Sequence, residues 1–299
     1  MLPLFGMVVV LCAVIGGFVL ENGRLIALVQ PAEVVIIAGA SIGVLLASNP
    51  PELLRKTLFR LLDIFRAPIL TRASYLSGLM MLGALFEYAR RNGGARLEDQ
   101  IDHPERSVVF RRFATVTGDP AVVSFVCDTL RLTTMTRISP FDLEEILGQE
   151  MEAREKELSG PANTLAFLAD ALPGLGIVSA VLGVVITMGS LAATPLTFDP
   201  RAIGQKIGMA LVGTFLGIFV SYGFVGPIAA RLARIQEAEV SYYRMLRAAL
   251  AAFGKGLPPS VALEFGRRSI PPDLRPGFAE MELEFRAAAR SANKVAAIP

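Results

Sequence analysis

Residues 171–198 and 207–230 form two stretches without a single charged side chain. Each exceeds the roughly 20 apolar residues that cross a bilayer as a helix, and this limits the chain more than any other feature. Hydrocarbon offers no water to backbone amides and carbonyls, so such stretches must be helical. The first holds Pro173 near its start, and the second holds Pro227 near its end together with Gly213-x-x-x-Gly217. Small residues let backbones approach, and a proline has to be accommodated by neighbours. These two helices are therefore expected to wall something rather than to anchor in lipid.

Two more apolar runs, 1–20 and 34–51, bring the number of expected crossings to four, whereas 52–160 and 231–299 are too charged to enter hydrocarbon. The first run has no basic residue before its apolar core and no A-x-A-like site after it, so it is expected to be a span and not a cleaved leader. Of the 29 Lys and Arg residues, 15 fall in 52–160 and 11 in 231–299; Arg24 lies between spans one and two, and Arg201 and Lys206 lie around the turn between spans three and four. The positive-inside rule places both long segments, and with an even number of spans both termini, in the cytoplasm. The expected organisation is all-α: transmembrane helices 1 and 2 in 1–51, a helical cytoplasmic domain in 52–164, transmembrane helices 3 and 4 in 165–230, and a cytoplasmic helical extension in 231–299.

Within the charged segments, Leu54, Leu58, Leu61, Leu62 and Phe65 recur at helical spacing after Pro50-Pro51, as in a helix that buries one face. Residues 73–91 continue as a helix that should stop at Asn92-Gly93-Gly94. Another helix is expected over 121–132. Ser139-Pro140-Phe141-Asp142 starts a further one, with serine at the N-cap and an acid in the first turn. Residues 231–253 contain no breaker and should extend span four as a stalk, whereas 256–276 are punctuated by prolines.

The chemical inventory is mostly negative. No G-x-x-x-x-G-K-[ST] loop is present, so neither ATP nor another cofactor is expected. The single histidine, His103, cannot build a metal site alone, and the acidic run from Glu144 to Glu157 lacks EF-hand spacing and reads as a solvated or partner-facing helix surface. A net charge of +2 without a basic, aromatic-interleaved stripe points away from nucleic acid. Cys12 in a span and Cys127 in a cytoplasmic segment are not expected to pair. Nothing indicates an enzyme. Asp170 is the one ionisable residue assigned to a span, at its cytoplasmic end, so a proton path would need its carboxylate from another polypeptide. The deep hydroxyls Ser179, Thr187, Thr214, Ser221 and Tyr222 suit either a hydrated path or contacts between helices. Pro173 and Pro227 each free a backbone carbonyl, as a hinge or as a static bend.

Blocks along nearly the whole chain resemble the MotA family of flagellar stator proteins in the MotA/TolQ/ExbB proton-channel superfamily: QPAEVVIIAGASIG at 30–43, LEDQIDHPERSVVF at 97–110, GPANTLAFLADALPGLGIVSAVLGVV at 160–185, MALVGTFLGIFVSYGFVGPIA at 209–229 and PPSVALEFGRRSI at 258–270. The resemblance implies a stator subunit of the inner membrane that converts ion flow into torque. It implies a pentamer around two copies of a one-span, peptidoglycan-binding MotB protein that supplies the proton-carrying aspartate, with the rotor protein FliG as the second partner and lipid around the assembly. Residue by residue, it implies that Pro173 and Pro227 lie beside that aspartate, that Thr214, with Tyr222 near it, lies on the ion path, and that Arg90 and Glu98 contact the rotor. Sodium-driven relatives carry a threonine where this chain has Ala180, and an alanine offers no oxygen ligand to Na⁺, so H⁺ is the expected ion. The turn at 191–201 is a few residues longer than in enteric-type members. An ExbB/TolQ-like channel that energises an outer-membrane partner is the nearest alternative, but those relatives typically have three spans. A non-conducting membrane scaffold is the alternative from another class.

Overall fold

A proline at the first turn starts most of the long helices, because its fixed φ suits the turn and its missing N–H has no helical acceptor there. The computed structural model describes residues 2–66, 70–113, 116, 118–135, 138–193 and 200–296, and among them every regular element is helical. Contacts divide the chain into two units, Met1–Ala67 with Ser159–Gln236 and Pro68–Leu158 with Glu237–Pro299.

The first unit contains α1 (Leu2–Leu20), α2 (Pro31–Ser48), α3 (Pro51–Arg66), the later part of α8 (Pro140–Ala193), α9 (Pro200–Val220), a π-turn (Ser221–Val225) and the start of α10 (Gly226–Gly254). Among the described residues, four helical stretches are long and apolar enough to cross a membrane: Pro3–Leu20, Leu25–Ser48, Pro140–Gly189 and Ile203–Gly254. The last two, at 50 and 52 residues, far exceed the roughly 20 a bilayer needs, so each helix continues beyond it. The far end of predicted span three and most of the predicted turn at 191–201 lie outside the described residues. Span two begins earlier than 34, at Pro31, and ends at Ser48, where Asn49 Nδ2 donates to Leu45 O at 3.1 Å.

Backbone contact between α8 and α9 holds this unit. A Cβ on Gly217 would lie 2.6 Å from Leu172 O and 2.8 Å from Gly176 Cα; a Cβ on Gly176 would lie 2.7 Å from Gly213 O. Glycine is required on both helices. The sequence holds three small-residue spacings, Gly39-x-x-x-Gly43, Gly204-x-x-x-Gly208 and Gly213-x-x-x-Gly217, and among the described residues the last alone is in contact, since Gly39, Gly43, Gly204 and Gly208 have nothing within 4 Å of an added Cβ. The predicted amphipathic α3 sets Ile64 and Leu61 against Ala162, Leu165, Ala229 and Leu232, while Leu58, Phe59 and Leu62 are exposed.

The second unit contains α4 (Arg72–Asn92), α5 (Gly94–Asp102), α6 (Val108–Arg111), α7 (Pro120–Met135), the first part of α8, the rest of α10, α11 (Pro259–Ser269) and α12 (Phe278–Ala296). Thr71 and Ser74 form a capping box at the start of α4, and Gly93 ends the helix at φ 79°, a left-handed conformation that favours glycine. Tyr75, Leu79, Leu82, Leu85 and Phe86 of α4 are completely covered by residues of α7, α10 and their neighbours. Burial of each such side chain contributes about 1.5–3 kcal/mol. Phe86 stacks on Phe253 with ring centroids 4.1 Å apart, and the Arg154 guanidinium lies 4.4 Å over the Tyr243 ring.

The acidic run of α8 is mostly exposed, as a solvated surface would be, and two of its carboxylates pair within the chain. Glu144 accepts from Lys255 at 2.6 Å and Glu155 from Arg244 at 3.1 Å. The predicted cap is present, with Asp142 N–H donating to Ser139 Oγ at 3.1 Å. The proline-punctuated stretch holds the 11-residue α11, where Arg267 and Arg268 pair with Glu264 and pull its carboxyl down to about 2. Burial beside Asp128 pushes the Cys127 thiol up to about 12, which keeps it protonated and unreactive at neutral pH.

Adding one methyl separates glycines in contact from glycines facing open space. Gly217→Ala should lower the thermal stability of the detergent-purified protein by about 1–3 kcal/mol, since the new atom meets backbone. Gly39→Ala should leave it unchanged or slightly raised, by up to about 1 kcal/mol from helix propensity. A loss at Gly39 would mean that another chain fills that space.

Candidate functional site

A proline at 173 removes the amide that would otherwise bond to Ala169 O four residues back. Left open in a membrane helix, that carbonyl would cost several kcal/mol. The hydroxyl of Ser221, from the π-turn after α9, donates to Ala169 O at 2.6 Å, and both residues are buried. This corrects the expectation that Pro173 leaves its freed carbonyl open; the neighbouring helix already fills it, for a net gain of about 1 kcal/mol.

The second proline belongs to the same arrangement. Pro227 lacks the amide that would bond to Gly223 O, and just before it the chain widens into the π-turn, where Gly226 N–H reaches back five residues to Ser221 O. Single π-turns of this kind relieve such mismatches and recur at functional sites. Tyr222 within the turn is 73% exposed and Pro227 is exposed, while Gly223 lies against Val10 of α1.

Of the remaining site residues from the sequence, Pro173 and Thr214 are half-buried and Ala180 is buried, in helices held together at Gly176 and Gly217. The five therefore belong to one helix pair, but not to one exposed face: Ala180 is covered by the chain and Tyr222 is open. Asp170 is exposed. In the second unit, Arg90 and Glu98 lie on α4 and α5, on either side of the Gly93 turn. Arg90 donates to Glu87 at 3.1 Å, Arg91 shares that buried carboxylate, and the Arg90 side chain remains 60% exposed. Glu98 is half-buried.

One residue was overlooked in the sequence. Glu33, three residues into α2, is a buried carboxylate in the membrane-helix unit, so Asp170 is not the unit's one acidic group near a span. Its Oε2 accepts from the Ser179 hydroxyl and lies against Gly213, where no side chain could fit. Ser179 and Gly213 immediately precede Ala180 and Thr214, so this carboxylate backs the same wall. A sequence signal exists: Glu33, Ile37 and Ser41 recur every four residues and form the buried stripe of α2.

Comparison with known proteins gives the arrangement a lineage. Residues 4–93 match the family described as Motility protein A N-terminal, and residues 117–245 match the MotA/TolQ/ExbB proton channel family. Motility protein A of Escherichia coli (strain K12) is 39% identical over 288 residues, covering 96% of each chain. The chemotaxis protein LafT of Vibrio parahaemolyticus is 36% identical, covering 93% of this chain and 95% of its own. In fold, the chain is similar to a solved structure of C. jejuni MotAB, with TM-score 0.70 and 18% identity over 91% of this chain and 96% of that one. The flagellar MotAB stator complex from Bacillus subtilis gives TM-score 0.69 and 22% identity over 92% and 98%. Matches to both family models and to a motility protein A at 39% identity over 96% of each chain show that the protein belongs to the MotA/TolQ/ExbB proton channel family, among the motility A proteins.

Proposed function

We propose that this chain is a stator subunit of a proton-driven flagellar motor, with the α8–α9 pair as the wall of the ion path. The observation that carries the reading is the similarity to a motility protein A over 96% of both chains, which spans the membrane-helix unit and the charged unit alike. The channel role fits the chemistry of the wall. It presents hydroxyls but, among the described residues 172–193 and 200–219, no carboxylate, which supports a titrating group supplied by a partner helix. The MotAB complexes among its structural neighbours support a MotB-like, one-span protein as that partner.

In this reading five copies surround two partner helices in the inner membrane, with lipid outside. Residues 52–164 and 231–299 and both termini lie in the cytoplasm, as the distribution of Lys and Arg requires. Protonation neutralises the partner's carboxylate and changes the cost of holding it against Pro173, Thr214, Tyr222 and Pro227, so the ring steps. Arg90 and Glu98 then transmit the step to the rotor protein FliG.

Three outcomes test this function. With Ala180 in place of an oxygen donor, swimming speed should follow the proton gradient and stay constant as external Na⁺ is varied at fixed pH; a steep sodium dependence would remove H⁺ as the coupling ion. Arg90→Glu places a negative charge beside Glu87 and in front of the rotor, so motility should fall with membrane assembly intact, and a charge swap on the rotor should restore part of it. If the reversal has no effect even combined with Glu98→Lys, the rotor contact is elsewhere. Pro173→Leu returns an amide to Ala169 O and straightens α8, so the variant should co-purify with its one-span partner but not swim. Normal swimming would take the proline out of the mechanism, and loss of the complex would make its role structural.

A further inference from the structure

Ser221 makes two bonds that serve the two prolines separately. Its side chain completes the carbonyl that Pro173 leaves open, Oγ to Ala169 O at 2.6 Å, and its own carbonyl accepts the Gly226 amide that closes the π-turn before Pro227. Only 2% of its surface is exposed. Removing the hydroxyl would leave a gap smaller than a water molecule and a carbonyl with no donor.

We infer that Ser221 is a positioning residue for the channel wall: it joins the bend of α8 to the register of the π-turn, so that Pro173, Tyr222 and Pro227 move as one piece. The functional half of this inference rests on the reading that these residues line the partner's helix; the bond itself does not. The link is conditional. Ser221 is needed because residue 173 has no amide, and any residue that restores the amide makes the hydroxyl redundant.

That conditionality is measurable on the purified complex with its one-span partner. Ser221→Ala should lower the melting temperature when residue 173 is proline and should lower it no further when Pro173→Ala is already present. In cells, at equal membrane levels of the complex, Ser221→Ala should cut swimming speed at a fixed proton gradient, and Ser221→Thr, which keeps the hydroxyl, should recover most of it. Equal melting losses in both backgrounds would overturn the link, as would parental swimming by Ser221→Ala or failure of threonine to rescue. If Pro173→Leu and Arg90→Glu abolish swimming while Ser221→Ala does not, the positioning role fails and the stator reading stands. If none of the three affects swimming, the stator reading itself fails.

Discussion

Every carbonyl inside a membrane needs a donor, and in this chain that rule governs the helix pair at the centre of the first unit. Pro173 breaks the rule within α8, and only a side chain from a helix in backbone contact can restore it. Glycine makes that contact possible: Gly176, Gly213 and Gly217 bring α9 so close that a β-carbon on either helix would overlap the other's backbone. At that separation the Ser221 hydroxyl reaches Ala169 O, and the widened turn behind it delivers Pro227 to the same end of the pair. Bend, crossing and π-turn are one arrangement.

Charge is distributed to match. Surface ion pairs of the second unit, such as Glu144 with Lys255 and Glu155 with Arg244, are each worth about 1 kcal/mol or less, so they tune that unit without defining it. Its stability comes from the covered faces of α4 and α10. Arg90 is different: Glu87, buried at its root, holds the guanidinium while leaving it open to solvent, as suits a charge offered to a partner. In the first unit the buried acid Glu33 is kept behind the wall by Ser179 instead of being presented on it. No carboxylate lies in the described stretches 172–193 and 200–219, as the proposed division of labour with a one-span partner requires.

Much of this was legible in the residues. Long charge-free runs can only be spanning helices, so the four spans and the caps at Ser139 and Gly93 followed from pattern alone, whereas in α3 Leu58 and Leu62 of the expected stripe are exposed and Ile64 is covered instead. Glu33 borders an apolar run and reads as its flank by hydropathy, although its four-residue spacing with Ile37 and Ser41 marks the covered side of α2. The pairing of Ser221 with Pro173 was beyond reach for a different reason. The need for a donor is written in the proline, but Ser179, Thr187, Thr214 and Ser221 all qualify by depth, and only the crossing at Gly217 decides among residues about 50 positions away. Small-residue spacing likewise says that backbones can meet, not which of three candidate pairs does. The acidic run of α8 reads as a solvated surface and is mostly exposed, but the pairing of Glu144 and Glu155 with α10 is not legible locally, because the basic partners lie about 90 to 110 residues on.

The central claim is that the α8–α9 wall receives a partner helix bearing a carboxylate. Disulfide trapping measures this most directly, with single cysteines at Thr214 or Tyr222 paired with cysteines along the partner's span, in a chain whose Cys12 and Cys127 have been replaced. The account predicts cross-links that recur at helical spacing and centre on the partner's carboxylate. Cross-links confined to the exposed residues Phe5 and Val8 of α1, with none to the wall, would contradict it.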